Sequence, residues 1–219
     1  IGFVVGLPTL RLRGDYLAIA TLGMAEIIRI VFLNLDITNG AAGLSNIPEF
    51  TNWMWLFIFT SGTVLIVTNF INSSHGRACI SIREDEIAAD AMGINSTRYK
   101  VTAFVIGAFF AGIAGALYAS RFYFLKPDAF GFLKSIDILV IVVLGGLGSI
   151  SGSIIAAILL AIITSYLQSF PEIRMVIYSV TLIVIMLFRP QGLMGSEELS
   201  KSMFKKWGRL LNRKDGGVA

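Results

Sequence analysis

Long apolar segments separated by short polar loops constrain this chain more than any other feature. A helix that crosses a bilayer needs about 20 apolar residues. Apolar segments suited to crossing run through residues 16–34, 53–71, 101–122, 150–168 and 173–188, and residues 1–10 look like the end of another. Hydrophobic residues make up 55% of the chain and charged residues only 15%, whereas soluble domains carry about 25% charged residues. The sequence therefore predicts an all-α, polytopic transmembrane helical bundle.

The apolar segment at 135–147 is too short for an ordinary crossing and ends in a glycine-rich sequence. We expect a discontinuous helix that is broken at Gly145, Gly146 and Gly148. Irregular backbone at membrane depth is tolerated where it lines a cavity or is covered by protein, and broken helices line substrate sites in many transporters. The glycines therefore indicate either part of a translocation path or a close helix crossing. Asp137, near the start of this segment, has the same two interpretations.

Positive charge is distributed unevenly over the predicted loops. If the loop at 76–100 is cytoplasmic, most of the 18 Lys and Arg residues lie on the cytoplasmic side. The opposite side then carries Arg121, Lys126, Lys134 and Arg174. Because cytoplasmic loops are enriched in Lys and Arg, this pattern predicts a cytoplasmic loop at 76–100 and a cytoplasmic C-terminus. The basic stretch at 196–219 is then a cytoplasmic tail that contacts anionic lipid.

A charged, helix-forming segment separates the apolar segments at 53–71 and 101–122. Ser81 and Glu84 fit an S-x-x-E capping box, in which side chain and backbone satisfy exposed donors at a helix start. Gly93 fits the position just after a helix end, where a left-handed conformation is common. We therefore expect a short coupling helix at the membrane surface, able to dock on a soluble partner; a plain cytoplasmic loop, solvated by its charges, is the competing interpretation. Its small apolar face comprises Ile87, Ala88, Ala91 and Met92.

Two ionisable residues lie within the first complete apolar segment. Glu26 and Arg29 are three positions apart, which makes them neighbours on one helix face. Charge in hydrocarbon is costly, so such residues pair with each other or face the bundle interior or water. The pair is either a contact along a translocation path or a structural ion pair.

A glycine-rich loop follows this segment on the predicted outer side. It contains Thr38, Asn39, Gly40 and Gly43. Glycine permits backbone conformations and close approaches that other residues do not, so the loop can bring backbone groups near a substrate or a delivering receptor. A simple flexible turn is the competing interpretation.

Residue types that mark other functions are scarce. His75 is the one histidine and Cys79 the one cysteine, which argues against a Ser–His–Asp site and excludes an internal disulfide. No G-x-x-x-x-G-K-[ST] phosphate loop occurs, and no metal-ligand spacing is present. The net charge of +4 is explained by membrane topology, so no nucleic acid partner is predicted. The inventory does not favour a membrane enzyme.

Four blocks, in order along the chain, resemble one transporter family. They read RLRGDYLAIATLGMAEIIR, then REDEIAADAMGI followed by TRYKVTAFVIGAFFAGIAGALYA, then VVLGGLGSISGSIIAA, then LFRPQGLMG. These blocks look like the branched-chain amino acid permeases of the LivM type. In the second block, the order Glu86, Ala88, Ala89 and Gly93 resembles the EAA loop of ABC importer permeases. The resemblance implies a permease domain over 1–195, with its N-terminal part missing because family members are longer there, followed by the tail at 196–219.

The resemblance also implies partners, substrates and contacts. Importers of this kind, in the bacterial plasma membrane, contain a second related permease, two cytoplasmic ABC ATPase subunits and an extracytoplasmic substrate-binding protein. ATP and Mg²⁺ bind the ATPases, and no cofactor binds this chain. Leucine, isoleucine and valine are the implied substrates; the alternatives are urea or another small amide or acid, or an ion-coupled secondary transporter. The residues implied to couple to the ATPase are Glu86, Ile87, Ala88, Ala89, Asp90 and Gly93.

Overall fold

The computed structural model describes residues 1–166 and, beyond them, the isolated positions Val180 and Leu187. The chain divides into two compact units, Ile1–Lys134 and Ser135–Ala219. Apart from those two positions, the predicted crossing at 173–188 and the basic tail at 196–219 lie outside the described residues.

Helices dominate the described part of the chain. In order, they are α1 (Gly2–Thr9), α2 (Asp15–Asn34), α3 (Trp53–Asn72), α4 (Ser74–Glu84), α5 (Glu86–Ala91), α6 (Ser96–Phe122), α7 (Phe132–Gly145) and α8 (Ile150–Tyr166). Of these helices, α2, α3 and α6 are long and apolar enough to cross a bilayer. The predicted all-α membrane fold is therefore confirmed.

Helix α6 continues without a break from the polar loop into the apolar segment. Asn95 caps its start by accepting a hydrogen bond from the Arg98 backbone N–H at 3.0 Å. The predicted crossing began at Val101, whereas the helix begins at Ser96 and contains 27 residues. A helix of this length extends about 40 Å, more than the roughly 30 Å of a hydrocarbon core. One continuous helix is therefore long enough to reach from the surface segment across a membrane.

Helix α1 packs closely on α6 because both present small residues at the contact. A Cβ placed on Gly2 would lie 2.6 Å from the Ala108 Cβ, and one placed on Gly6 would lie 3.0 Å from the Phe104 ring. In lipid, such close backbone approach drives helix association, since water cannot.

A two-residue antiparallel ladder joins the loop after α2 to the chain after α6. Its strands are β1 (Leu44–Ser45) and β2 (Phe124–Leu125), with Leu44 opposite Leu125. The Ser120 hydroxyl extends the junction, accepting a hydrogen bond from the Phe50 backbone N–H at 2.9 Å. These contacts hold the glycine-rich loop against the end of α6.

Candidate functional site

The predicted surface helix is two short helices, α4 and α5, which meet at Asp85. The Asp85 carboxylate caps α5 by accepting hydrogen bonds from the backbone N–H groups of Ile87 at 2.9 Å and Ala88 at 3.0 Å. The predicted capping box at Ser81 and Glu84 is wrong. Both residues lie inside α4, and the Ser81 hydroxyl donates to the Ala78 carbonyl instead. Asp85 is the residue with extended backbone (φ −153°), so it alone has the geometry of a cap.

Gly93 ends α5 in the left-handed conformation that the sequence predicted, with φ +84°. Its N–H donates to the Asp90 carbonyl at 3.0 Å, and the Ile94 N–H donates to the Ala89 carbonyl at 3.1 Å. These two bonds form a Schellman motif, which satisfies carbonyls that the helix leaves free. Both ends of α5 are therefore held by defined hydrogen bonds.

Glu86, the first residue of α5, is bonded to two neighbouring elements. The Lys100 ammonium of α6 donates to Glu86 Oε2 at 2.6 Å, and Arg13, in the loop between α1 and α2, lies 3.4 Å from Glu86 Oε1. The side chains of Lys100 and Glu86 are only 25% and 28% exposed. Partial burial reduces the screening of such a pair by salt.

Asp90, one turn further along α5, is bonded to the start of α6. Its carboxylate accepts hydrogen bonds from the hydroxyl and the backbone N–H of Ser96, and Ser96 is 4% exposed. The Ser96 hydroxyl is the main cause that lowers the pKa of the Asp90 carboxyl, with Arg13 and Lys100 adding favourable charge. Asp90 therefore stays ionised at neutral pH, and α5 and α6 are joined at two points.

The side of α5 that faces away from the rest of the chain is apolar and solvent-exposed. Ile87 is 77% and Met92 83% exposed, whereas Ala89 is 4% exposed and lies on the inner face. Ala88 and Ala91 are also exposed. The four residues that the sequence placed on one apolar face thus share one exposed surface. Of the six predicted coupling residues, Ile87 and Ala88 face outward, while Glu86, Ala89 and Asp90 make contacts within the chain and Gly93 ends the helix.

Glu26 and Arg29 pair within α2, as their spacing predicted. The Arg29 guanidinium donates from Nε and Nη2 to the Glu26 carboxylate, with the Nη2–Oε1 distance 2.5 Å. Its Nη1 donates to Asp128 Oδ1 at 2.6 Å. Asp128 lies in a 3₁₀ turn, Pro127–Phe130, after β2. Asp128 is 99 positions from Arg29, and no spacing pattern in the sequence links the two.

A cavity of about 470 Å³ lies beside this ion cluster. Arg29 of α2 and Thr38 of the glycine-rich loop are on its wall, together with Gly112 and Gly115 of α6. Most of the remaining wall is apolar and includes Ile28, Phe32, Leu44, Leu125 and Phe130. Glu26 and Asp128 are not on the wall, but both pair with Arg29, which is. Asp128 also directly follows Pro127, another wall residue. The cavity is therefore an apolar space with one cation on its lining.

Backbone geometry explains the glycines of the loop after α2. Gly43 has φ +78°, and a Cβ there would lie 2.4 Å from the Leu125 carbonyl oxygen. Gly40 has φ +53°, and a Cβ there would lie 2.9 Å from the Leu33 carbonyl oxygen. Asn39, also left-handed at φ 57°, donates from its side chain to the Gly43 carbonyl at 3.3 Å. The loop is a defined turn closed against β2.

The predicted helix break is present in the second unit. Helix α7 ends at Gly145 and α8 starts at Ile150, with positive φ at Gly146 (+110°) and Gly148 (+97°). A Cβ on Gly145 would lie 2.6 Å from the backbone of Gly152, so the two helices approach closely at these glycines. Asp137 is exposed on α7. Among the described residues of this unit, the buried hydrophobic side chains Val140, Leu144, Ala156 and Leu160 form one apolar cluster.

Within the described residues, no group of three or more His, Cys, Asp or Glu side chains is arranged to hold a metal ion. Cys79 is partly buried, and desolvation raises the pKa of its thiol. Its Sγ lies 3.9 Å from the Tyr99 carbonyl oxygen. The thiol therefore has a packing role in the contact between α4 and α6.

The long apolar helices, the capped surface segment and the interrupted helix define an integral membrane protein of the transporter class. The chain belongs to the family of permease components of the branched-chain amino acid transport system, whose pattern it matches over residues 1–186. No solved structure matches the chain.

The similarity to characterised relatives covers most of this chain. The chain is 40% identical to the high-affinity branched-chain amino acid transport system permease protein LivM of Escherichia coli K12, over 88% of this chain and 54% of that protein. The LivM protein of Salmonella typhimurium is 39% identical over the same shares. The LivH permease protein of Salmonella typhimurium is 35% identical, over 68% of this chain and 48% of LivH. The chain thus spans about half the length of the curated relatives it matches.

Proposed function

We propose that this chain is a membrane-spanning permease subunit of an ATP-driven importer of branched-chain amino acids. Its family membership and its similarity to LivM support the transport class and the substrates leucine, isoleucine and valine. The names of these relatives do not favour urea, another small amide or acid, or ion-coupled transport. The chain provides part of the path and carries out no chemistry of its own.

The observation that carries the mechanism is the attachment of α5 to α6. In this proposal the exposed apolar face of α5 docks on a cytoplasmic ATPase subunit. Because Lys100 and Ser96 bond the two ends of the α5 inner face to α6, a displacement of α5 is transmitted to a helix that crosses the membrane. The Arg13 contacts extend the same connection to the loop before α2.

The predicted coupling residues then have two kinds of role. Ile87 and Ala88 contact the ATPase directly, together with the exposed Met92. Glu86, Ala89 and Asp90 hold α5 on the membrane part, and Gly93 sets the direction in which the chain leaves α5. An apolar docking face surrounded by charge is the usual arrangement of a specific protein interface.

We propose two sets of residues along the translocation path. The first comprises Glu26, Thr38, Asn39, Gly40 and Gly43, at the predicted outer end of α2. The second comprises Asp137, Gly145, Gly146 and Gly148, where the backbone leaves the helical conformation. Support for the first set comes from the cavity, because Thr38 is on its wall and Glu26 is bonded to Arg29, which is also on the wall. Support for the second set comes from the requirement that irregular backbone in a membrane be covered or line a cavity.

The proposed assembly contains a second permease of the same family, two ABC ATPase subunits and an extracytoplasmic binding protein. The 35% identity to LivH, alongside the similarity to LivM, supports a pair of related permeases. ATP and Mg²⁺ bind in the ATPases. The chain is placed in the bacterial plasma membrane as a multi-pass protein with a cytoplasmic C-terminus, on the basis of its charge asymmetry.

A substitution at Gly93 in the complete importer tests the coupling role. Gly93→Glu should abolish uptake of labelled leucine and reduce co-purification of the ATPases, because a side chain strains φ +84°. Space is not the obstacle, since no atom lies within 4 Å of a Cβ at this position. Gly93→Asn is the matched control, because Asn tolerates the left-handed conformation. Wild-type uptake by Gly93→Glu with the ATPases bound would disprove the proposed coupling.

A further inference from the structure

We propose that the cavity between α2, α6 and the glycine-rich loop is a binding site for an apolar α-amino acid as its zwitterion. Arg29 binds the carboxylate of the ligand, and Asp128 binds its ammonium group. This inference rests on the proposed function and deepens it, since it assigns the substrate to particular residues of this chain.

The cavity has the size and composition of a small-molecule site. Its volume of about 470 Å³ falls in the range of about 300–1,000 Å³ that is typical of ligand pockets. Such pockets are mostly apolar, with a few polar groups that orient the ligand. Here Phe32, Leu44 and Phe130 contribute apolar wall, and Arg29 contributes charge. An aliphatic side chain of the ligand fits the apolar wall, and its α-carboxylate fits the charge of Arg29.

Arg29 is held in place and still has hydrogen-bonding capacity. An arginine side chain carries five N–H bonds. The Nε–H and one Nη2–H are directed to Glu26, and one Nη1–H is directed to Asp128. One N–H on each Nη atom therefore has no acceptor among the described residues. Two such N–H groups are what a ligand carboxylate needs for a bidentate contact.

The charges of the cluster select a zwitterion. One guanidinium faces two carboxylates, so Arg29, Glu26 and Asp128 together carry one net negative charge. A ligand with a carboxylate alone adds to this excess, which is unfavourable where water is scarce. An α-amino acid brings its own cation, and Asp128, with a side chain 62% exposed, is accessible to that cation. The site should therefore accept leucine and reject 4-methyl-2-oxopentanoate, which has the same carbon skeleton without the ammonium group.

The first test measures equilibrium binding of labelled leucine to the complete purified importer without its binding protein. Asp128→Asn should weaken leucine binding about tenfold or more, as expected for loss of a charged hydrogen-bond partner. Glu49→Gln is the matched control, because the Glu49 carboxylate pairs with Arg121 at the same 2.6 Å, whereas the Asp128 carboxylate contacts Arg29, which is on the cavity wall. It should change leucine binding less than about twofold. In the wild type, 4-methyl-2-oxopentanoate should not compete with leucine.

The second test fills the cavity. Gly115 is on the cavity wall and Gly107 is not; both lie in α6, and a Cβ at either would contact no atom within 4 Å. Gly115→Leu should therefore abolish leucine binding, and Gly107→Leu should retain it, with both proteins recovered in the membrane. The comparison of Gly115→Leu with Gly107→Leu tests whether leucine binds in the cavity even if the Asp128→Asn complex fails to assemble.

Two results would overturn the inference while leaving the proposed function intact. One is ATP-dependent leucine uptake at the wild-type rate by Gly115→Leu. The other is unchanged leucine binding by the Asp128→Asn complex when the wild-type complex transports leucine. If the wild-type complex transports no leucine at all, the proposed function itself is wrong.

Discussion

The Lys100 ammonium lies 2.6 Å from the Glu86 carboxylate, so the first residue of α5 is bonded to the second turn of α6. Both side chains are about three-quarters buried. The surface segment is thereby joined to a membrane-crossing helix through a charged pair as well as through the connecting loop.

Reversal of charge at Glu86 should break this connection. In Glu86→Lys, the new ammonium faces Lys100 and Arg13, and like charges at this distance repel. We expect leucine uptake by the complete importer to fall about tenfold or more, as for a broken charged hydrogen bond. The double variant Glu86→Lys with Lys100→Glu should recover part of the uptake. Equal activity of the single and double variants would show that the pair does not contribute to coupling.

Loss of the cap at Asp85 should loosen α5 specifically. Asp85→Ala removes the acceptor for the Ile87 and Ala88 amides, and loss of an N-cap costs about 1 kcal/mol. Hydrogen exchange at these two amides should accelerate about fivefold, which corresponds to that energy. Ser81→Ala is the control, because Ser81 lies within α4. Faster exchange in the Ser81 variant than in the Asp85 variant would restore the original capping-box interpretation.

Cysteine labelling in intact cells tests the orientation. In a Cys79→Ser background, cysteine at Ser45 should react with an impermeant reagent added from outside, and cysteine at Ala88 should not. Ala88 is a suitable inner probe because it is exposed. External labelling at Ala88 would reverse the topology and remove α5 from the cytoplasm.

Gly152→Ala should destabilise the second unit. The added Cβ would lie 2.2 Å from the Gly145 carbonyl oxygen, and such overpacking costs about 1–3 kcal/mol. The midpoint of thermal unfolding in detergent should fall. Gly62→Ala in α3 is the control, because no atom lies within 4 Å of its Cβ and alanine favours a helix. An unchanged midpoint for Gly152→Ala would mean that the helices separate easily at this contact.

Much of the fold could be predicted because apolar crossings and helix ends depend on residues that are close together in the sequence. The predicted crossings at 16–34 and 53–71 agree with α2 and α3 to within one residue at each end. The sequence predicts Gly93 at a helix end because glycine adopts a left-handed conformation at the least cost. The capping-box prediction was wrong because a short sequence pattern does not fix the backbone conformation. Ser81 and Asp85 both have the chemistry of a cap, and the choice between them depends on where the backbone turns.

The contacts that assemble the candidate sites could not be predicted from the sequence. Asp90 and Ser96 are six positions apart and join across a turn, whereas Arg29 and Asp128 are 99 positions apart. No periodic pattern links two such residues, because their distance depends on how α2 and the chain after α6 pack. Ala89 is one of the predicted coupling residues, and only the packing of α5 shows that its side chain is buried.

By itself, the sequence determined the class of protein, because the cost of placing polar groups in hydrocarbon makes apolar length and charge distribution directly informative. It also indicated where the backbone can bend, since glycine adopts positive φ at the least steric cost. Only the tertiary structure decided which charges pair, which face of α5 is free and where a cavity remains. Those properties depend on distances between segments far apart in the chain, and packing of the helices sets these distances.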